Sequence, residues 1–190
     1  MSAPRFRSSR RRLASATAAA VAIDYAAVTP PASGIRRTAI ERTIHLTGDW
    51  AETRDVRRNV ADWLEGAEAD LVRGAQMVAS ELAENALEHG AGEATLALRR
   101  NQEQVVVRVV SGPHDDAEID ALAERIRAIE TCSDLEGLFQ RRLRELFRRD
   151  VARAQLGLLR IKLEGGFSLA VERCNGRRVA VVASRRLEKD

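Results

Sequence analysis

The stretch Ser80-Glu81-Leu82-Ala83-Glu84-Asn85-Ala86-Leu87-Glu88-His89-Gly90 closes a segment whose apolar residues recur at helical spacing. Leu71, Ala75, Val78, Ala79, Leu82 and Ala86 form one stripe, which predicts a helix from about 68 to 89 that Gly90-Ala91-Gly92 stops. With Glu81 set at zero, Asn85 falls at about 40° and His89 at about 80°, while the stripe spans roughly 60–160°. Asn85 and His89 therefore point at the edge of the core, where a polar side chain needs partners. A carboxylate and an amide at i and i+4, as Glu81 and Asn85 are, can share a bound cation or a water. The plain alternative is a helix with a solvated acidic face and a satisfied amide.

Upstream, Ile40, Ile44 and Leu46 alternate with His45 on the other face, so 39–47 reads as a strand. Thr47-Gly48-Asp49 offers a cap, and Val56, Val60, Trp63 and Leu64 predict a helix over 50–65 in which Trp63 packs inward. Downstream, strands are expected at 93–100 and 104–111, then helices carrying Ile119, Leu122, Ile126 and Ile129, and Leu135, Leu138, Phe139, Leu143, Leu146 and Phe147. A short helix at 153–163 precedes strands at 166–174 and 177–184, joined by the hairpin signal Asn175-Gly176. Strands adjacent in sequence pair as hairpins and helices come in blocks. That is an α+β pattern: a two-layer sandwich of one mixed or antiparallel β-sheet with helices on one face.

The chain has 190 residues, of which 45% are apolar, enough for a real core. It lacks any apolar run of 18 or more, which excludes a transmembrane helix. Two cysteines, Cys132 and Cys174, exclude a disulfide framework or a four-cysteine zinc site. The net charge of +3 comes from Arg5, Arg7, Arg10, Arg11 and Arg12; the chain beyond Arg12 is slightly acidic, which argues against a nucleic-acid-binding fold. Residues 1–37 combine this basic stretch, an Ala-rich run and a Pro-Pro linker, and read as a disordered tail rather than a secretory leader, with 38–190 as the domain and a helical insert at about 113–153.

The string Glu81, Leu82, Asn85, Ala86, His89, Gly90 resembles the N-box of the GHKL ATPase superfamily, in the form E-L-x-x-N-A-x-x-H-G of the anti-sigma-factor serine kinases. The helix with Arg57, Val60 and Leu64 is similar to that family's first helix. The resemblance covers about 38–112 well and 153–185 loosely. It implies a histidine kinase-like ATPase fold (the Bergerat type), with ATP held between sheet and helices. It implies that Asn85 holds Mg²⁺, that Glu81 activates or orients the attacking serine hydroxyl, and that His89, Ser111, Gly112 and Gly157 border the cofactor. It also implies a cytoplasmic regulator with a STAS-like antagonist or sigma-factor regulator as partner, and allows a homodimer.

Two departures weaken the nucleotide end. Where the family carries D-x-G-x-G after the Val-rich strand, this chain has Ser111-Gly112-Pro113-His114-Asp115-Asp116, so a hydroxyl replaces the carboxylate that takes the adenine amino group. Asp115 or Asp116 could substitute, or could cap the next helix. The last Gly-rich motif is reduced to Ala154-Gln155-Leu156-Gly157-Leu158-Leu159, and a lid is replaced by helices bearing Arg141, Arg142, Arg144, Arg148, Arg149 and Arg153, either a phosphate or acidic-partner clamp or a solvated face. Three functions remain open on the sequence: a serine kinase of a partner-switching system using ATP and Mg²⁺, a module of the same fold that sequesters a partner without ATP turnover, and a nucleic-acid-associated regulator using the Arg-rich tail.

Overall fold

The computed structural model describes residues 39–48, 50–90, 92–148 and 154–188. The tail of residues 1–37, Asp49 in the first helix cap, and Arg149 and Arg153 lie outside them. In chain order the elements are β1 (Ile40–Leu46), α1 (Trp50–Trp63), α2 (Ala69–His89), β2 (Ala94–Arg100), β3 (Gln104–Ser111), α3 (Asp116–Glu130), α4 (Leu135–Arg148), α5 (Ala154–Leu163), β4 (Ser168–Cys174) and β5 (Arg178–Arg186).

The strands form a single sheet in the order β1-β2-β3-β5-β4. Every pairing is antiparallel, so the sheet is not mixed. The cause is local: β2–β3 and β4–β5 are hairpins, and the three-helix excursion returns the chain through edge strand β4 before β5 pairs beside β3. Asn101 closes the first hairpin, its side-chain oxygen accepting from the backbone N–H of Glu103 and Gln104, each at 2.8 Å. The second closes through Asn175-Gly176-Arg177, with Gly176 and Arg177 both at positive φ (73° and 60°). That turn is one residue longer than the bare Asn-Gly signal suggests, because Cys174 pairs with Arg178.

Alternation along the strands sends Leu46, Ala94, Leu96, Leu98, Val105, Val107, Val109, Leu169 and Ala183 into the core, against α1 and α2 on one face of the sheet. The expected α2 stripe is buried throughout, and Trp63 is buried with Val56 and Val60 of α1. His45 is exposed, as the alternation requires, but Ile40 is exposed too because it starts the edge strand. Polar ties fix α1 on α2: Arg57 Nε donates to Ser80 Oγ at 2.9 Å, and Gln76 Nε2 donates to the Arg57 carbonyl at 3.0 Å.

The helices after β3 are not a mere appendage. Ile126 and Ile129 of α3 belong to the same core as the sheet. Glu130, at the end of α3, accepts the Leu169 backbone N–H at 2.8 Å and pairs with Lys162 Nζ at 2.8 Å, so one carboxylate joins α3, α5 and β4.

Candidate functional site

α2 presents its polar edge toward α5, and a cavity of about 60 Å³ opens between them and the inner face of the sheet. A water needs about 10–15 Å³ on this measure, so the space is larger than one solvent molecule. Its walls are chiefly apolar: Leu82 and Ala86 from α2, Val109 from β3, Leu122 from α3, Leu158 from α5, and Val179 and Val181 from β5. Its polar lining is Asn85, His89, Ser111, His114 and Arg125. Three residues singled out in the sequence, Asn85, His89 and Ser111, therefore meet around one space.

Beside the cavity, between α2 and α5, lies an ionic cluster that does not itself line it. Arg160 Nη1 donates to Glu81 Oε1 at 2.5 Å while the same guanidinium holds Glu164 through Nε and Nη2, each at 3.1 Å. Burial holds the Glu81 carboxyl above the usual carboxylate range, against the pull of Arg160. That guanidinium is itself raised first by its hydrogen bond to Glu164, which divides its attraction. Gly157 packs directly on this edge: a Cβ there would lie 2.5 Å from Glu81 Oε2 and 3.5 Å from Asn85 Nδ2. Gly157 thus serves the close approach of α5 to α2.

Asn85 makes no hydrogen bond among the described residues, and its amide nitrogen is buried. A buried amide left without a partner costs about 1–3 kcal/mol, so this group is poised for an acceptor that the protein does not supply. No cluster of three or more His, Cys, Asp or Glu suited to a metal exists among the described residues. Magnesium accepts a single protein oxygen when phosphate oxygens and waters complete its shell. Only the Asn85 side-chain oxygen fits that minimal set, since its buried nitrogen is a donor, and Glu81 is engaged by Arg160.

At the β3 wall the polar lining is a hydrogen-bonded side-chain pair. Ser111 Oγ lies 3.0 Å from His114 Nε2, and both residues are buried. His114 gave no signal in the sequence as a site residue. Its position is set by Arg177, whose carbonyl accepts the His114 N–H at 2.8 Å and whose Nε donates to the His114 carbonyl at 3.1 Å. Gly90 is required by space: a Cβ would stand 2.6 Å from the Ala86 carbonyl oxygen and 2.8 Å from Ser111 Cβ. Gly112 does not line the cavity. At φ 136° it packs on the β4–β5 turn, where a Cβ would stand 3.0 Å from Arg178 Cα.

Of the two open roles for the acidic pair, capping is the one seen. Asp115 caps α3 in a reciprocal capping box with Glu118, and Asp116 pairs with Arg173. Three of the α4 arginines have local partners: Arg142 pairs with Glu145, Arg141 with Asp134, and Arg144 donates to the Gln140 carbonyl. They form a solvated, self-paired face.

No protein-family model matches the chain, and no curated protein matches it. Among solved structures, the fold is similar to a chain in the crystal structure of the SiaB–SiaC complex from Pseudomonas aeruginosa. The TM-score is 0.57 at 16% sequence identity, over 77% of this chain and 89% of that one. At that identity the likeness speaks for the fold. No helix among the described residues is long and apolar enough to cross a membrane.

Proposed function

We propose that the protein is a regulator of the partner-switching kind, which engages a protein partner, binds ATP in the cavity beside α2, and phosphorylates a serine of a STAS-like antagonist. The observation that carries the nucleotide part is the buried, unpartnered Asn85 amide facing an apolar cavity in this fold. The partner part is supported by the similarity to a chain solved in complex with another protein. Bound with the nucleotide at Asn85, magnesium would supply neutralisation of phosphate charge, on which phosphoryl transfer chiefly depends along with positioning. Glu81, one turn before Asn85 and just outside the cavity lining, would orient the serine hydroxyl. It can do so when Arg160 turns wholly to Glu164, which it already holds through two nitrogens.

Calorimetry with ATP, with and without Mg²⁺, tests this reading. Asn85→Ala should abolish Mg²⁺-dependent binding in a folded protein. Glu81→Ala should spare binding and stop transfer to a serine substrate. Absence of ATP binding by the wild type at millimolar concentration defeats the kinase reading. The second reading, a module that sequesters its partner without ATP, is favoured by one observation: Gly157 and Arg160 close α5 onto Glu81.

A further inference from the structure

We infer that Arg160 is a positioning residue that holds the Glu81 carboxylate out of the cavity, and that Glu164 sets how strongly it does so. The inference rests on the nucleotide reading above and deepens it, giving the site a built-in restraint.

Glu81 and Asn85 are one turn apart on α2, yet Asn85 lines the cavity and Glu81 does not. Both oxygens of the Glu81 carboxylate are engaged by α5. Oε1 accepts from Arg160 Nη1 at 2.5 Å. Oε2 lies against the helix at Gly157, where a Cβ would stand 2.5 Å from it. A carboxylate paired with a guanidinium is also a weaker proton acceptor, because the positive charge favours its ionised form. Arg160 therefore keeps Glu81 from a substrate hydroxyl in two ways: it turns the group aside and lessens its hold on a proton.

The charged groups around the pair decide where Arg160 points. Glu164, one turn further along α5, takes Arg160 Nε and Nη2 at 3.1 Å each, a two-pronged arrangement. Glu84 on α2 adds negative charge, and Arg57 of α1, the other cation felt by Glu81, is committed to Ser80 Oγ. One guanidinium thus serves two carboxylates, and Glu164 competes with Glu81 for it. The end of α5 is tied down: Lys162 pairs with Glu130 at 2.8 Å, and Arg185 Nη1 donates to the Gly165 carbonyl at 3.3 Å. The Arg160 and Glu164 side chains are 37% and 46% exposed, so solvent leaves them room to turn. A guanidinium that turns wholly onto Glu164 releases Glu81 without any movement of the helix. In the transfer that follows, the serine oxygen bonds to the γ-phosphorus as the bridge to the β-phosphate breaks. ADP leaves, and the hydroxyl proton passes to Glu81.

Two measurements on the full chain test this. Carbon-13 NMR of labelled glutamate follows the Glu81 carboxyl through pH, its signal identified by its loss in Glu81→Gln. Arg160→Gln should move the midpoint up, since the pull of the guanidinium is gone. Glu164→Gln should move it down, since Arg160 then serves Glu81 alone and a nearby negative charge is lost. Phosphate release from ATP with Mg²⁺ reads the function, with water as the acceptor probe. Arg160→Gln should release phosphate about twofold to fivefold faster than the wild type, the worth of one partly exposed ion pair. Glu164→Gln should be slower, and Glu81→Gln combined with Arg160→Gln should lose the gain. A mere packing role predicts slower release in both single variants. Circular dichroism establishes that each variant is folded, and if Arg160→Gln does not fold, Glu164→Gln decides by its midpoint and rate. Midpoints that do not part in these directions overturn the inference while leaving the nucleotide reading standing. So does folded Arg160→Gln releasing phosphate no faster than the wild type, or a gain that survives Glu81→Gln. Failure of the wild type to bind ATP in calorimetry defeats the nucleotide reading and this inference with it.

Discussion

The seam between α2 and α5 and the β3 wall of the cavity beside it are held together by opposite chemistry. At the seam, Glu81 and Arg160 are a half-buried charge pair contributed by helices far apart in sequence. At the β3 wall, Ser111 and His114 are a buried pair without an acidic partner in direct hydrogen bond, three residues apart. A charge pair satisfies itself, and removing one member leaves the other stranded. The charge pair ties α5 to α2 beside the cavity, and the hydroxyl–imidazole pair stands on its wall.

Three perturbations test that contrast, taken from the largest effect to the smallest. Leu82 is buried on the cavity wall contributed by α2. Leu82→Ala should destabilise the fold by about 2–5 kcal/mol in urea unfolding. A cost below about 1 kcal/mol would mean that seam and wall are not separated by packed core. Gly90→Ala acts at the β3 wall alone, since its Cβ meets backbone and Ser111 Cβ, which cannot swing aside. It should cost about 1–3 kcal/mol, as overpacking does. Ser111→Gly in the same background should relieve part of that cost, and no relief would show that the collision lies only within the helix end.

The third perturbation acts through pH at the ionic seam. The folded state holds the Glu81 carboxyl above its ordinary value of 4.5, chiefly by burial. The folded state thus binds that proton more tightly than the unfolded chain does. The corresponding stability is present below the unfolded pKa and is lost as pH rises through the folded one. Glu81→Gln removes this dependence. The difference in unfolding free energy between wild type and Glu81→Gln should therefore shift in favour of the variant as pH rises from about 4.5 through the folded pKa. A difference that stays flat across that range, followed by urea titration, would place the carboxyl in ordinary solvent and dissolve the contrast.

Much of this architecture can be read from spacing. The stripe from Leu71 to Ala86 specifies α2 and its buried face because helical period alone places those residues together. The strands from Gln104 and Arg178 announce themselves by their valines, and Asn175-Gly176 by its turn chemistry. Asn85 and His89 are legible as neighbours because they share one helix edge, while Ser111 joins them only through the family resemblance, which sets a ligand-binding motif at that position. Arg160 is not legible, because its contact with Glu81 spans 79 residues and no local rule joins them. The Arg160–Glu164 spacing of four is the signal available, and it points only along α5. His114 escapes sequence reasoning for a different reason. It lies in a loop with no period, and its contact with Ser111 depends on a clamp from Arg177, which is 63 residues away.

That clamp gives the β4–β5 turn a duty unusual for a surface connection. Asn175 and Gly176 are exposed, and turns of that kind are ordinarily where chains absorb insertions without harm. Here the third turn residue grips the His114 loop by two hydrogen bonds, and Gly112 nestles against the residue after it. Lengthening or shortening the hairpin would carry Arg177 away from the His114 loop even though every strand could still pair. The turn works as a gauge block: its length, more than its composition, sets the distance between the sheet and the imidazole, and a graft or tag placed there would retune the cavity from outside it.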